Sequence, residues 1–149
     1  MLVDEAEIAE AILLLLEGEK TVAEGAGAAG LAALLEKSLP VADKRVALVI
    51  SGGNIDVNVL SRIIDRGLVK SGRAMRVRVL IPDVPGSLAS LLGLVASRQA
   101  NVLEVHHDRI GARSSVGQTV VELVLETRGF DHIADVELAI RQAGWHISL

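Results

Sequence analysis

The chain is short, acidic and nearly free of aromatic residues, and these properties exclude several classes of protein. It has 149 residues, a net charge of −4 and no cysteine, and half of its residues are apolar. The negative charge and the lack of basic stretches with interleaved aromatics argue against nucleic-acid binding. Without cysteine there is neither a disulfide nor thiolate catalysis, which fits a cytoplasmic protein. The longest apolar run, residues 11–16, is far below the ~20 residues of a membrane span, so neither membrane insertion nor a signal peptide is predicted.

The first 70 residues predict helices interleaved with strand segments. Asp4 and Glu7 form a capping-box pattern, which predicts a helix from residue 5 to residue 17 that ends at Gly18. The remaining predicted elements are a short strand at 21–23, a helix at 26–37, a strand at 45–50 and a helix at 56–66 closed by Gly67. The strand at 45–50 is continuously apolar, as in parallel sheets covered on both faces. Since one or two strands do not form an independent sheet, this half is predicted to be part of a larger α/β domain.

The pattern changes after residue 73. Apolar residues alternate with polar ones at 75–81, which predicts a half-buried strand. The elements that follow are a helix at 87–99, a strand at 101–110, a turn at 111–117, a strand at 120–127, a helix at 131–143 and a strand at 145–149. This β-α-β-β-α-β order is the ferredoxin-like arrangement. Its crossovers place both helices on one face of the sheet, so the other face is left for a partner or a ligand.

Two glycine-rich segments in the first half carry chemical signals. Ser51-Gly52-Gly53 directly follows the predicted strand, and its glycines allow a flat polar ligand to approach the backbone. The alternative is a plain strand-to-helix turn. Gly25 to Gly30 matches the dinucleotide fingerprint G-x-G-x-x-G, but the segment before it is too short and too polar for the first strand of that unit. We therefore expect these glycines to serve close packing rather than nicotinamide binding.

The segment 82–88 is the best candidate for a binding site. A proline and a glycine at the start of a helix leave backbone N–H groups free, and the helix dipole adds partial positive charge. Such a helix end binds a carboxylate without a cationic side chain. Asp83, and Asn101 on the following strand, are candidates to receive an ammonium group. The alternative is an ordinary helix N-terminus.

The four histidines do not predict a metal site. His106 and His107 are adjacent on a strand and therefore point to opposite faces. His106 shares a face with Asp108, but two ligands are too few for a structural metal. His132 and His146 are expected to be solvated or to lie at helix ends.

Both halves resemble parts of one enzyme family. Residues 2–73, with Glu24–Gly30 and Ser51–Asp56, resemble the end of the catalytic domain of pyridoxal-phosphate-dependent threonine ammonia-lyases. Residues 74–149, with Leu80–Leu88 and Ala100–Val105, resemble an ACT domain, a small amino-acid-sensing module; Val84 stands where that family commonly has arginine. The resemblance implies a partial, tryptophan-synthase-β-like α/β segment at 1–70 and a ferredoxin-like ACT domain at 71–149.

For catalysis the resemblance implies only half of a site. Ser51 and Gly52 match the pyridine side of the pyridoxal phosphate site. A Schiff base needs a lysine in a desolvated pocket, and none of Lys20, Lys37, Lys44 and Lys70 has the family's Ser-x-Lys setting. The family's glycine-rich phosphate loop is also missing. The chain alone is therefore expected to be inactive, with no catalytic residue and no cofactor of its own.

For function the resemblance implies the regulatory part of an enzyme that converts L-threonine to 2-oxobutanoate and ammonia in isoleucine synthesis. It implies that isoleucine or valine binds at an interface between two ACT domains, and hence a homodimer or higher oligomer through the ACT sheet. The expected ligand-binding residues are Asp83, Val84, Pro85, Gly86, Ser87, Leu88 and Asn101. Two alternatives remain: a dimerisation module that binds no ligand, and a lyase half that is active only with a separate chain carrying the cofactor lysine.

Overall fold

The chain folds into two compact units, residues 1–67 and residues 68–149. A computed structural model describes residues 2–36, 39–109 and 117–148. These residues form five α-helices and one four-stranded antiparallel sheet, which confirms the mixed α/β class predicted from the sequence. Within them, no helix is long and apolar enough to cross a membrane.

The first unit contains helices α1 (Glu5–Leu14) and α2 (Gly25–Leu35) and most of α3 (Val57–Lys70), whose last three residues belong to the second unit. Helix α1 continues as a π-helical turn, Leu15–Glu19. The predicted capping box is present: the Glu7 N–H donates to Asp4 at 2.8 Å, and the Asp4 N–H donates to Glu7 at 2.6 Å. Neither predicted glycine stop ends its helix. The π-helical turn runs through Gly18 to the left-handed Lys20 (φ 55°). α3 continues past Gly67, where an added Cβ would collide with a leucine side chain of α1, so Gly67 serves close packing.

The strands predicted at 21–23 and 45–50 are wrong. Residues 44–56 contain no regular element, and Val49, expected to be buried, is 85% exposed. A strand exists only when a neighbour accepts and donates its backbone hydrogen bonds. In the described part of this unit, the backbone bond that joins residues 21–24 to residues 44–56 runs from the Glu24 N–H to the Gly52 carbonyl at 3.1 Å, just beyond the predicted strand. Within the described residues, the apolar run 45–50 is therefore not part of a sheet.

The core of the first unit is made mainly of small side chains. Helices α1 and α2 approach closely because alanine predominates at their contact, and Ile50, Ile55, Leu60 and Ile63 add partly buried contacts. The buried residues are Ala11, Ile12, Leu15, Ala23, Ala28 and Ala32.

The second unit confirms the ferredoxin-like prediction. Its elements are β1 (Ala74–Pro82), α4 (Ser87–Ser97), β2 (Asn101–Asp108), β3 (Gln118–Glu126), α5 (Phe130–Gln142) and β4 (His146–Ser148). The strand order is β2-β3-β1-β4, and the pairings are antiparallel. β2 is therefore an edge strand. Residues 111–116 of the turn predicted at 111–117 lie outside the described residues, as do Ile110, Leu149 and Lys37 at the predicted ends of three elements.

Alternation along the strands separates a core face from a polar face. Val77, Val79 and Ile81 of β1 are at most 4% exposed, and they belong to one cluster with Leu91 of α4 and Ile140 of α5. Both helices pack on this face of the sheet, as right-handed crossovers require. The opposite face carries charged side chains and is not covered by a helix of this unit.

On the polar face Glu122 of β3 binds two arginines of β1. Arg76 Nη1 and Arg78 Nε each donate to a different Glu122 carboxylate oxygen at 2.6 Å. The bond from Arg78, followed by that from Arg76, lowers the pKa of Glu122 below its usual value. Because the folded pKa is the lower one, the linked stabilisation is complete above the unfolded pKa and is lost as the pH falls through the folded pKa.

We therefore expect that in Glu122→Gln the free energy of unfolding of the second unit falls less steeply on acidification than in the wild type. The measurement is urea unfolding from neutral to acidic pH, followed by fluorescence of Trp145, which lies in this unit and is the chain's one tryptophan. Glu137→Gln is the control, since Glu137 pairs within its own helix with Arg141 at 3.6 Å. An acid dependence identical in wild type and Glu122→Gln would contradict the prediction.

Candidate functional site

A pocket lies at the turn between β1 and α4. Its volume is about 220 Å³, which suits a metabolite smaller than a drug-sized ligand. All six residues predicted from the turn line it, together with two residues at the end of β1, one of β2 and one directly after β2. The lining residues are Ile81, Pro82, Asp83, Val84, Pro85, Gly86, Ser87, Leu88, His107 and Arg109.

Local sequence explains the shape of the turn. The Asp83 N–H donates to the Gly117 carbonyl at 2.9 Å, which ties the turn to the start of β3. Gly86 occupies the N-cap position of α4 with φ 93°, and no side chain caps the helix. A Cβ at Gly86 would meet nothing within 4 Å, so glycine is required there by backbone conformation and not by space. The N–H groups of the first turn of α4 lack intrahelical acceptors, and the positive end of the helix dipole faces the pocket.

Two residues of the pocket lining, Asp83 and Arg109, form an ion pair. Arg109 Nε donates to Asp83 Oδ1 at 2.7 Å, and Arg109 Nη2 donates to Asp83 Oδ2 at 3.1 Å. The hydrogen bond to Asp83, and then the charge of Asp83, raise the pKa of the Arg109 guanidinium above its ordinary value. From the sequence, Asp83 is a candidate to receive an ammonium group. The structure instead gives both of its carboxylate oxygens a cationic partner.

From the sequence, His106 or His107 is expected to line a ligand or subunit interface, and His107 does line the pocket; sequence reasoning missed Arg109. The sequence contained one signal for Arg109: Val105, His107 and Arg109 are alternate residues, and alternate residues of a strand share a face. His107 pairs with Val121 in the register of β2 and β3, and Val121 is a core residue. His107 and Arg109 therefore follow the helix-side face of β2 to the end of the strand, where α4 begins.

Asn101 lies away from this pocket. It begins β2 and pairs with Glu126, which lies at the opposite end of the sheet from the turn. Its Nδ2 atom donates to Glu126 Oε2 at 3.3 Å. Within one chain, the structure does not bring Asn101 together with residues 83–88.

The Ser51 turn of the first unit is closely packed but exposed. A Cβ at Gly27 of α2 would collide with the Ser51 carbonyl oxygen, and one at Gly52 would lie 2.6 Å from a Glu24 carboxylate oxygen. Glycine at these two positions therefore permits the approach of helix, turn and Glu24. The side chain of Ser51 is exposed.

The described residues do not complete a pyridoxal phosphate site around Ser51. A Schiff-base lysine has to be desolvated, whereas Lys20, Lys44 and Lys70 are all exposed. The Lys20 amine donates to the Glu17 carbonyl at 2.7 Å. Lys37 lies outside the described residues.

The histidines are placed differently from one another. Across the described ranges, no cluster of three or more metal-ligating side chains is found. His132 was expected to be solvated or at a helix end; it lies in the first turn of α5 but is only 9% exposed. Its ring accepts from the Arg128 N–H at 3.1 Å and bonds to the Arg98 carbonyl at 2.8 Å, so it joins the start of α5 to the end of α4. His146 is exposed.

Fold and pocket together define the second unit as a ferredoxin-like α/β domain with a small pocket at the start of its first helix. No protein-family model matches the chain. A solved structure with partial similarity is prephenate dehydratase in complex with L-Phe from Arthrobacter aurescens, at 19% identity and a TM-score of 0.39, covering 52% of this chain and 26% of that one.

Curated relatives identify the family more closely. The chain is 50% identical over 99% of its length to L-threonine ammonia-lyase of Thermotoga maritima, of which it covers 36%. It is 42% identical over its whole length to L-threonine ammonia-lyase of Geobacter sulfurreducens, of which it covers 37%. With the biosynthetic L-threonine dehydratase IlvA of Mycobacterium tuberculosis it shares 39% identity over 60% of its length and 21% of that protein.

The chain therefore corresponds to a segment of a threonine ammonia-lyase, which confirms the resemblance to that enzyme family. It spans about a third of the length of the curated relatives that it matches over its whole length.

Proposed function

We propose that this chain is the regulatory part of a cytoplasmic threonine ammonia-lyase that converts L-threonine to 2-oxobutanoate and ammonia. Its second unit acts as an ACT domain and binds isoleucine or valine at an interface between two copies. The intact enzyme would use pyridoxal phosphate, with Ser51 and Gly52 on the pyridine side. The observation that carries the proposal is the pocket at the β1–α4 turn in a chain whose relatives are threonine ammonia-lyases.

The chemistry of the pocket supports an amino-acid ligand. The N–H groups at the start of α4 and the Arg109 guanidinium are donors for a carboxylate. Asp83 is an acceptor for an ammonium group. Ile81, Val84 and Leu88 provide apolar lining, which suits an aliphatic side chain. One small pocket therefore offers a partner for each of the three parts of a branched-chain amino acid: its carboxylate, its ammonium group and its aliphatic side chain.

The edge position of β2 supports a two-chain site. If two copies pair their β2 strands antiparallel about an axis near residues 104 and 105, Asn101 of the partner subunit comes opposite Asp108, beside His107 and Arg109. This arrangement brings Asn101 to the pocket that it does not reach within its own chain. It also covers Leu103 and Val105, which are 53% and 39% exposed in the single chain.

The competing function is a dimerisation module without a ligand, which the same exposed residues of β2 favour. An edge strand with exposed apolar side chains pairs readily with another chain. The two functions differ in whether an added amino acid changes the stability of the folded protein.

We expect isoleucine or valine to stabilise the second unit by about 1.4 kcal/mol when present at roughly ten times its Kd. The measurement is thermal unfolding followed by Trp145 fluorescence, with isoleucine, valine, threonine and serine compared at equal concentration. The site variant is Gly86→Val, whose side chain lies at the pocket and should abolish the shift. Gly144→Val is its control, because Gly144 has a similar φ of 83° but does not line the pocket.

Unchanged stability with all four amino acids, in a protein shown to be folded and dimeric, would favour the dimerisation module. A selective shift that survives in Gly86→Val would place the ligand elsewhere in the chain.

A further inference from the structure

We propose that the Asp83–Arg109 ion pair recognises both charges of a free α-amino acid by exchange of partners. The ligand ammonium replaces the guanidinium on Asp83, and the released Arg109 takes the ligand carboxylate. This inference rests on the proposed function of the pocket and assigns to Arg109 the role of a specificity-determining residue.

Because of the geometry of the pair, an ammonium group can bind Asp83 only by displacing Arg109. Arg109 donates to both carboxylate oxygens, at 2.7 and 3.1 Å, so an incoming cation has to compete with it. The competition takes place at the surface, since the Asp83 and Arg109 side chains are 30% and 61% exposed. Exposed ion pairs are weak enough to open without unfolding the domain.

Charge balance then selects the class of ligand. A zwitterion brings one positive and one negative group, so after exchange Asp83 and Arg109 each have a new partner. An amine without a carboxylate would displace Arg109 and leave that guanidinium unpaired next to another cation. A carboxylate without an ammonium would leave Asp83 unpaired in the same way. The pair therefore favours a free α-amino acid over an amine, a carboxylic acid or a blocked amino acid.

The placement of the two residues supports the same conclusion. Asp83 belongs to the turn that leads into α4, whereas Arg109 follows the edge strand β2. The ion pair thus joins two separate elements across the pocket lining. A ligand that inserts between them can contact one charge on each element, while the donors at the start of α4 lie on the same pocket.

The test compares isoleucine with isoleucinamide, which lacks the carboxylate, and N-acetylisoleucine, which lacks the ammonium. Dissociation constants are measured by NMR titration slightly below neutral pH, where the amine of isoleucinamide is protonated; the valine series is used if valine binds more tightly. Wild-type protein should prefer isoleucine over each derivative by about fivefold or more. Arg109→Gln should bind isoleucinamide roughly two- to fivefold more tightly than wild type does, because the competitor for Asp83 is removed.

The reciprocal variant tests the other half of the exchange. Asp83→Asn should bind N-acetylisoleucine roughly two- to fivefold more tightly than wild type does, because Arg109 is then free. Arg76→Gln is the matched control: it removes an arginine from an ion pair of similar exposure on the polar sheet face, where Arg76 Nη1 lies 2.6 Å from Glu122. It should leave all three dissociation constants unchanged.

Equal weakening of all three ligands by Arg109→Gln would overturn the exchange and make Arg109 a structural residue of the pocket. Unchanged affinities in both site variants would also overturn it, while leaving the amino-acid site itself in place. Absence of binding by isoleucine and valine to the wild-type protein would overturn the proposed function, and with it this inference, before any variant is measured.

Discussion

Gly72→Ala is expected to destabilise the second unit by about 3 kcal/mol, combining left-handed strain with overpacking. Gly72 has φ 69°, in the left-handed region. An added Cβ would lie 2.8 Å from the Phe130 backbone nitrogen and 3.0 Å from the Gly129 carbonyl carbon. These are backbone atoms at the start of α5, which cannot move aside as a side chain would. The carbonyl of Gly72 also accepts from Thr127 Oγ1 at 2.7 Å and from the Gly129 N–H at 3.0 Å, so any shift breaks two hydrogen bonds.

The measurement is equilibrium urea unfolding followed by Trp145 fluorescence. Gly144→Ala separates the two causes, since Gly144 has φ 83° but open space around its Cβ position. We expect Gly144→Ala to cost about 1–2 kcal/mol, from backbone conformation alone. Equal losses of stability in the two variants would show that the contact with α5 contributes nothing.

His132→Ala is expected to cost the second unit about 2–3 kcal/mol, because it leaves the Arg128 N–H and the Arg98 carbonyl without their partner. These bonds need a neutral ring with the hydrogen on Nε2, since Nδ1 accepts and Nε2 donates. His132→Asn should recover part of the loss, because its amide oxygen can replace Nδ1 as the acceptor. His146→Ala is the control for loss of an imidazole, since His146 is exposed.

Unfolding by urea with fluorescence detection again gives the free energies of unfolding. A His132→Ala protein as stable as His146→Ala would show that water satisfies the two backbone groups, and that the ring does not tie α5 to α4.

The second unit was predictable because the pattern of apolar residues within each element indicates which face of that element is buried. Alternation in β1 and the apolar stripe of α4 both follow from one covered face, so local pattern and final structure agree. The segment 45–50 lacked that agreement. Its apolar residues predicted burial, but strand formation depends on a partner distant in the sequence, and the described residues of the first unit supply none.

At the candidate site, the sequence predicted the turn but not the ion pair between Asp83 and Arg109. Residues 83–88 lie together because they are consecutive. Arg109 reaches Asp83 across 26 positions, through the register of β2 on β3 and of β3 on β1. His132 lies at a helix end, as expected, but its burial was not predicted for a related reason: it arises where α5 meets the end of α4, a contact that no local pattern encodes.

The apolar run at 46–50 has a consequence for the behaviour of the chain in solution. Val46 and Leu48 are 47% and 39% exposed, and residues 44–56 form no regular element. Such a segment is a template on which a strand from any neighbouring molecule can form. We therefore expect residues 46–50 to promote an open-ended self-association that grows with concentration and time, unlike the symmetric pairing that we propose for β2.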